Sequence, residues 1–164
     1  MLTTRQATIS DLLGITEIYN DAVLKLVATF DTEPKTLEEQ KTWFDRHNAT
    51  YPIMVAEQDG IVVGWASISR WSEKLAYAGT GEASVYVREG YRGRGIGRKI
   101  LTEVLDKAEK GGLHTVISRI VQDNDVSIRL HEELGFKHVG IMKEVGQKFG
   151  MLLDVCIMQM IFDS

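Results

Sequence analysis

The seven residues Arg92-Gly93-Arg94-Gly95-Ile96-Gly97-Arg98 concentrate the most chemistry in this 164-residue chain. Glycines let a backbone turn sharply and approach an anion closely. A helix starting here would offer first-turn N–H groups that have no partner within the helix. Three arginines add charge and forked donors. The helix dipole alone contributes only about 0.3–1 kcal/mol at an exposed site, so amides, glycines and arginines must act together. The spacing is G-x-G-x-G. A dinucleotide fingerprint needs G-x-G-x-x-G, and position 98 is Arg. The nucleoside-triphosphate loop, G-x-x-x-x-G-K-[ST], occurs nowhere in the chain. The alternative is a tight surface turn with solvated arginines.

Other reactive residue types are sparse. One cysteine, Cys156, excludes an intrachain disulfide and lies in an apolar run that suits a core position better than a nucleophile. The histidines at 47, 114, 131 and 138 lack zinc-ligand spacing, so no metal is expected. A net charge of -4 argues against a nucleic-acid partner. Hydrophobic residues at 44% and charged residues at 26% argue for a packed core rather than disorder. Residues 1–11 contain no apolar h-region, and Leu152 to Phe162 is shorter than the ~20 residues a membrane span needs. A cytoplasmic protein, not membrane-bound, with one domain over residues 1–164 is expected.

The positioning elements follow from periodicity and punctuation. Leu2 to Ala7 reads as a strand, and a helix follows Ser10-Asp11 with Leu12, Ile15, Ile18, Tyr19, Ala22 and Val23 at helical spacing. Thr36 with Glu39 is a capping-box pattern opening a second helix. Ile53 to Gln58 and Ile61 to Ser69 are strands joined by Asp59-Gly60, a strong two-residue hairpin signal. Ala83 to Val87 precedes the glycine loop. Ile96 to Ala108 forms an amphipathic helix, closed by Gly111-Gly112. Then come a strand Val116 to Val121, a helix from Asn124-Asp125 to Gly135, and strands Lys137 to Met142 and Leu152 to Phe162. Met142, Met151, Met158 and Met160 read as core filler. The order β-α-α-β-β-β-α-β-α-β-β predicts an α/β domain on one mixed sheet flanked by helices.

Arg92, Gly95 and Gly97 form R-x-x-G-x-G, preceded by Val85-Tyr86-Val87 and followed by Asn124, Ser127 and Leu134-Gly135-Phe136. This set resembles the acetyl-CoA motif of the GCN5-related N-acetyltransferases over nearly the whole chain. A narrower set resembles the phosphinothricin N-acetyltransferase subgroup: Tyr19-Asn20, Ala28-Thr29-Phe30-Asp31-Thr32-Glu33-Pro34, Ala76-Tyr77, Glu82, Leu130-His131-Glu132 and Leu153-Asp154-Val155. The Arg70 to Tyr77 segment departs from the subgroup's Arg/Pro-rich form. The resemblance implies that the strand before the loop bulges and that Val85, Tyr86 and Val87 hold pantetheine. It places the pyrophosphate on Arg92, Gly93, Arg94, Gly95, Ile96, Gly97 and Arg98. Asn124 and Ser127 would meet the cofactor's far side. It also implies a homodimer.

The implied reaction moves acetyl from a thioester to the amine of a small amino-acid-like molecule, of phosphinothricin or methionine sulfoximine type. Only a neutral amine attacks, so a base must take its proton, and the resemblance points to Glu82. His131 stands where many relatives carry a Tyr that protonates the leaving thiolate. Phe30, Trp71 and Tyr77 are expected as apolar walls, and Asn20, Arg70, Lys74 and Lys148 as contacts for the acceptor's acidic group. A protein or peptide acceptor and a non-catalytic acyl-CoA-binding module are the alternatives.

Overall fold

The computed structural model describes residues 1–163. Its elements run β1 (Leu2–Gln6), α1 (Leu12–Lys25), α2 (Leu37–Asp45), β2 (Ile53–Gln58), β3 (Ile61–Arg70), β4 (Thr80–Val87), α3 (Ile96–Lys110), β5 (Thr115–Val121), α4 (Asp125–Glu133), β6 (Lys137–Lys148) and β7 (Met151–Ile161). This is the expected order, with two short 3-10 turns added at Ile9–Asp11 and Leu75–Tyr77. The local signals act as their chemistry dictates. Asp59 and Gly60 both take positive φ, 53° and 78°, the geometry of a tight hairpin. Thr36 Oγ1 accepts from Glu39 N at 3.1 Å, and Glu39 returns a carboxylate to Thr36 N at 3.2 Å.

Seven strands form one sheet in the order β1-β2-β3-β4-β5-β7-β6. Every pairing is antiparallel except β4 with β5. The buried face of α3, with Ile100, Leu101, Val104 and Ala108, covers one side of the sheet against Ala66, Ile68 and Val116. On the other side Ile15 and Ile18 of α1 pack on Val55, Val62 and Trp65. Alternation along β3 therefore sends Ala66 and Ile68 to α3, and Trp65 and Ser67 to α1 and α2.

Two features position the site. β4 pairs with β5 only through Thr80↔Thr115, Gly81↔Val116 and Glu82↔Ile117, after which the strands part. The bulge expected before the glycine loop is absent. β4 keeps an unbroken register with β3 from Gly81 to Val87, so divergence from β5 exposes the backbone instead. The join is tight at Gly81, where a Cβ would collide with Ile68 and stand 2.9 Å from Leu113 Cδ2. Gly81→Ala should cost about 1–3 kcal/mol of overpacking, seen as a Tm lower by about 2–10 °C; an unchanged melt would mean the core yields there.

The last hairpin is longer than expected. β6 continues past Met142 to Lys148, with register shifts at His138/Gly140 and Met142/Gly146. It turns through Phe149 and Gly150 at φ 52° and 75°. Met142, on the edge strand β6, and Met151, just after the hairpin turn, are 39% and 48% exposed rather than core filler, while Met158 is fully buried. Met160 packs partly buried against the core.

Candidate active site

The glycine loop ends on the first turn of α3. Gly90, Gly93 and Gly95 sit at φ 90°, 77° and 80°, and Gly95 is the left-handed residue before the helix. No heavy atom lies within 4 Å of a Cβ placed on Gly93 or Gly95, so their backbone is open to a ligand. The helix's own ladder begins with Lys99 N to Gly95 O at 3.1 Å, leaving the preceding amides for an anion. The arginines differ in their engagements. Arg92 Nε donates to Val87 O at 3.1 Å. Arg94 stacks 5.3 Å from the Tyr91 ring centre. Arg98 pairs with Glu133 at the end of α4, so its charge is shared before any ligand arrives.

Where β4 and β5 part, a cavity of about 420 Å³ opens. Glu82 to Tyr86 and Ser118 to Val121 form its two sides, and Asn124, Ser127 and His131 its far wall. Val87 does not line it; it packs against the core. Main-chain groups on the slot side of the parted strands lack a ladder partner, as an extended amide-bearing arm would require. Ser118, only 1% exposed, also borders the slot, and its buried Oγ has no hydrogen-bond partner. Asn124 Oδ1 accepts from Ser127 N at 3.2 Å and caps α4. These features fit a pantetheine-type arm with its phosphates at α3.

Glu82 stands at the point of divergence. Arg119 grips it through Nε–Oε2 at 2.5 Å and Nη2–Oε1 at 2.9 Å. Arg119 in turn lies 5.4 Å from the Trp71 ring centre, and the bond to Glu82 raises its pKa above the ordinary value. A carboxylate has about four lone-pair sites, so two remain for water or substrate. Sequence reasoning missed Arg119. Its only signal was an arginine within the β-branched run Val116 to Val121.

His131 is 3% exposed, and its Nδ1–H donates to Ser127 O at 2.7 Å. Burial lowers its pKa below the ordinary 6.5, so at neutral pH Nε2 carries a lone pair and no proton. Burial lowers that of His47 likewise; its Nδ1 faces Trp43 O at 2.7 Å and its Nε2 accepts from Ser69 Oγ at 3.1 Å. The unfolded chain protonates both below about pH 6.5 while the native rings stay neutral. Their contribution to stability is thus complete above that pH and is lost as pH falls toward the depressed native values, by up to about 1.4 kcal/mol per pH unit per histidine. Thermal melts from pH 7.5 to 5.5 should show Tm falling, with a flatter slope in His47→Gln/His131→Gln. An equal slope in the variant would refute the assignment.

The expected acceptor contacts are only partly brought together. Phe30 lines the slot and lies against Gly146, where a Cβ would strike its ring. Asn20 does not line it. Its amide is consumed by Lys35, donating to Lys35 O at 2.9 Å and accepting from Lys35 N at 2.8 Å. Lys148 is buried and donates to Leu26 O at 2.6 Å and Thr29 O at 2.8 Å. Both residues anchor the strap 26–35 over the site rather than presenting charge to a substrate. Arg70 stacks 4.9 Å from the Tyr51 ring centre. Lys74 and Tyr77 belong to the exposed turn before β4 and do not line the slot. Tyr86 does line it, its phenol pushed up to about 12 by burial and so neutral.

Parted strands with free main chain, a helix start with open glycines and a carboxylate at the parting suit an acyltransferase that draws on a phosphate-bearing acyl carrier. Residues 15–136 match the model of the Acetyltransferase (GNAT) family. The chain belongs to that family and is an N-acetyltransferase. It is 43% identical over 161 residues to the L-methionine sulfoximine/L-methionine sulfone acetyltransferase of Pseudomonas aeruginosa, covering 97% of this chain and 94% of that one. It is 40% identical over 149 residues to the phosphinothricin N-acetyltransferase of Streptomyces coelicolor, covering 88% and 87%. The structure of yncA from Salmonella typhimurium, solved with its cofactor acetyl-CoA, superposes with a TM-score of 0.95 at 38% identity, covering 99% of this chain and 94% of that one. No helix among the described residues is long and apolar enough to cross a membrane.

Proposed function

We propose that the chain transfers acetyl from acetyl-CoA to the primary amine of a small amino-acid-like acceptor, of the methionine sulfoximine, methionine sulfone or phosphinothricin type. The observation that carries this reading is Glu82, fixed by Arg119 where β4 and β5 part. The relatives' names support the acceptor class, and the Salmonella neighbour's cofactor supports acetyl-CoA.

Acetyl-CoA supplies a thioester carbonyl open to attack. The amides at the start of α3, with Arg92 and Arg94, hold its diphosphate, and the slot faces of β4 and β5 align its arm. Val85 and Tyr86 contribute from one side, Asn124 and Ser127 from the other. Glu82 accepts the proton of the incoming ammonium, directly or through a water on its free lone pairs. A slot-side N–H of β4 near Val85 steadies the negative charge that develops on the carbonyl oxygen. His131 can act as acid toward the departing thiolate only when protonated, a form that burial makes scarce at neutral pH. The neutral ring bonds within α4, to Ser127 O one turn back, and packs 4.8 Å from the Phe136 ring centre.

A screen of amino acids, their sulfone, sulfoximine and phosphinate analogues, and N-terminal peptides, read by mass spectrometry, tests the reading. A product 42 Da heavier on small acceptors is expected; acetylation of peptides alone would overturn it. A homodimer also belongs to this reading. Val139, Ile141, Leu152 and Ile161 are 47–62% exposed along the two faces of the β6–β7 ribbon, and exposed apolar side chains of this kind are what a second subunit covers. Light scattering should give twice the 18.4 kDa chain mass, and a monomer at micromolar concentration would refute it.

A further inference from the structure

We propose that a second chamber, bounded by α1, α2, β3 and β4, receives the side-chain end of the acceptor, and that Trp65 and Ser67 select an uncharged oxo group there. The inference rests on the small-acceptor reading above. The chamber holds about 520 Å³ and shares Ser84 and Tyr86 with the acetyl-transfer slot, so the two adjoin across β4. Trp65 and Ser67 line it and are 3% and 1% exposed, yet Trp65 Nε1 and Ser67 Oγ have no hydrogen-bond partner. Native proteins seldom bury polar groups in this state. An indole N–H can only donate, and a serine hydroxyl can donate. The indole requires an acceptor atom, and one acceptor group satisfies both.

Strand register sets the distance. Ser69 stands opposite Glu82, Ser67 opposite Ser84 and Trp65 opposite Tyr86. Two residues along a strand advance about 7 Å, so an amine at Glu82 and an oxygen at Ser67 are separated by the reach of a methionine-length side chain. The intervening wall is aromatic. Trp65 lies 5.0 Å from Tyr86 and 5.3 Å from Trp43 between ring centres, which suits methylenes. The charged groups at the rim are already matched. Lys35 lies 3.8 Å from Asp31 and 4.0 Å from Glu39, and Arg46 lies 3.7 Å from Glu73. No spare cation awaits an anionic end, so a sulfone or sulfoximine is favoured over a phosphinate, and either over a plain thioether.

The test compares kcat/KM for methionine sulfone, phosphinothricin and methionine in the wild type, Ser67→Ala and Trp65→Phe, with melts to show that each variant folds. Sites built to hydrogen-bond a group discriminate strongly against analogues lacking it. Methionine sulfone should exceed methionine by about 30-fold or more in the wild type. Each variant should shrink that ratio about 10-fold, chiefly through KM for the sulfone. Equal use of sulfone and methionine by the wild type would overturn the proposal. So would variants that slow both acceptors alike, as a merely structural role predicts. Ser67→Ala decides the matter if Trp65→Phe does not fold. If no amino acid is acetylated although acetyl-CoA binds by calorimetry, the small-acceptor reading itself fails, an outcome distinct from acetylation without oxo selectivity.

Discussion

Glu82→Gln is expected to lower kcat at pH 7 by about 10²–10³-fold, within the usual range for losing a general base, while acetyl-CoA binding by calorimetry stays within about twofold of the wild type. Gln keeps the size of Glu82 but cannot hold the amine's proton. It also meets Arg119 with only one acceptor oxygen, where the carboxylate offers two at 2.5 and 2.9 Å. A loosened arginine and a lost base are separable by pH. An amino group with a pKa of about 8 or above sheds its proton to solvent in alkaline buffer, so the deficit should narrow as pH rises toward 9.5 if the defect is the base. If the defect is misplacement of Arg119, it should stay constant. A variant retaining a third or more of wild-type kcat at pH 7 would remove Glu82 from the reaction.

Gly95→Asp should weaken acetyl-CoA binding by about 100-fold or more, equivalent to nearly 3 kcal/mol. Gly95 is at φ 80°, and a Cβ there would touch nothing. Asp is among the residues that tolerate this backbone region best, so the fold should survive, with strain of about 1–2 kcal/mol. The larger effect is a carboxylate occupying the amides that the diphosphate needs. Gly95→Ala carries the strain without the charge and should lose about 10-fold or less. Calorimetry alongside circular dichroism reads both. Equal affinities for Gly95→Ala and Gly95→Asp would mean that no anion binds at the start of α3.

The parts of this fold that were legible in the sequence are those whose causes are local. Asp59-Gly60, Thr36 with Glu39, and the glycines before α3 each act within a few residues. The second half of β6 was not legible, because two register shifts near Gly140 and Gly146 break the alternation that marks a strand. Asn20 and Lys148 have suitable chemistry for binding a carboxylate, but residue type does not name a partner, and here the partners are carbonyls and an amide of the strap. The Glu82–Arg119 pair spans 37 positions and forms only because β4 and β5 run parallel there. Trp65 and Ser67 read as ordinary residues of a buried strand. Only the fold reveals that both residues line a chamber and that their polar atoms have no hydrogen-bond partner.

The short junction between β4 and β5 has a mechanical consequence. Three residue pairs stitch the first four strands to the last three. Beyond them the sheet resembles a half-closed zipper, and an arm carrying its own amides would serve as a surrogate rung between the two flaps. Coenzyme occupancy and the rigidity of the C-terminal flap, with α4 and His131 riding on it, are then two faces of one equilibrium.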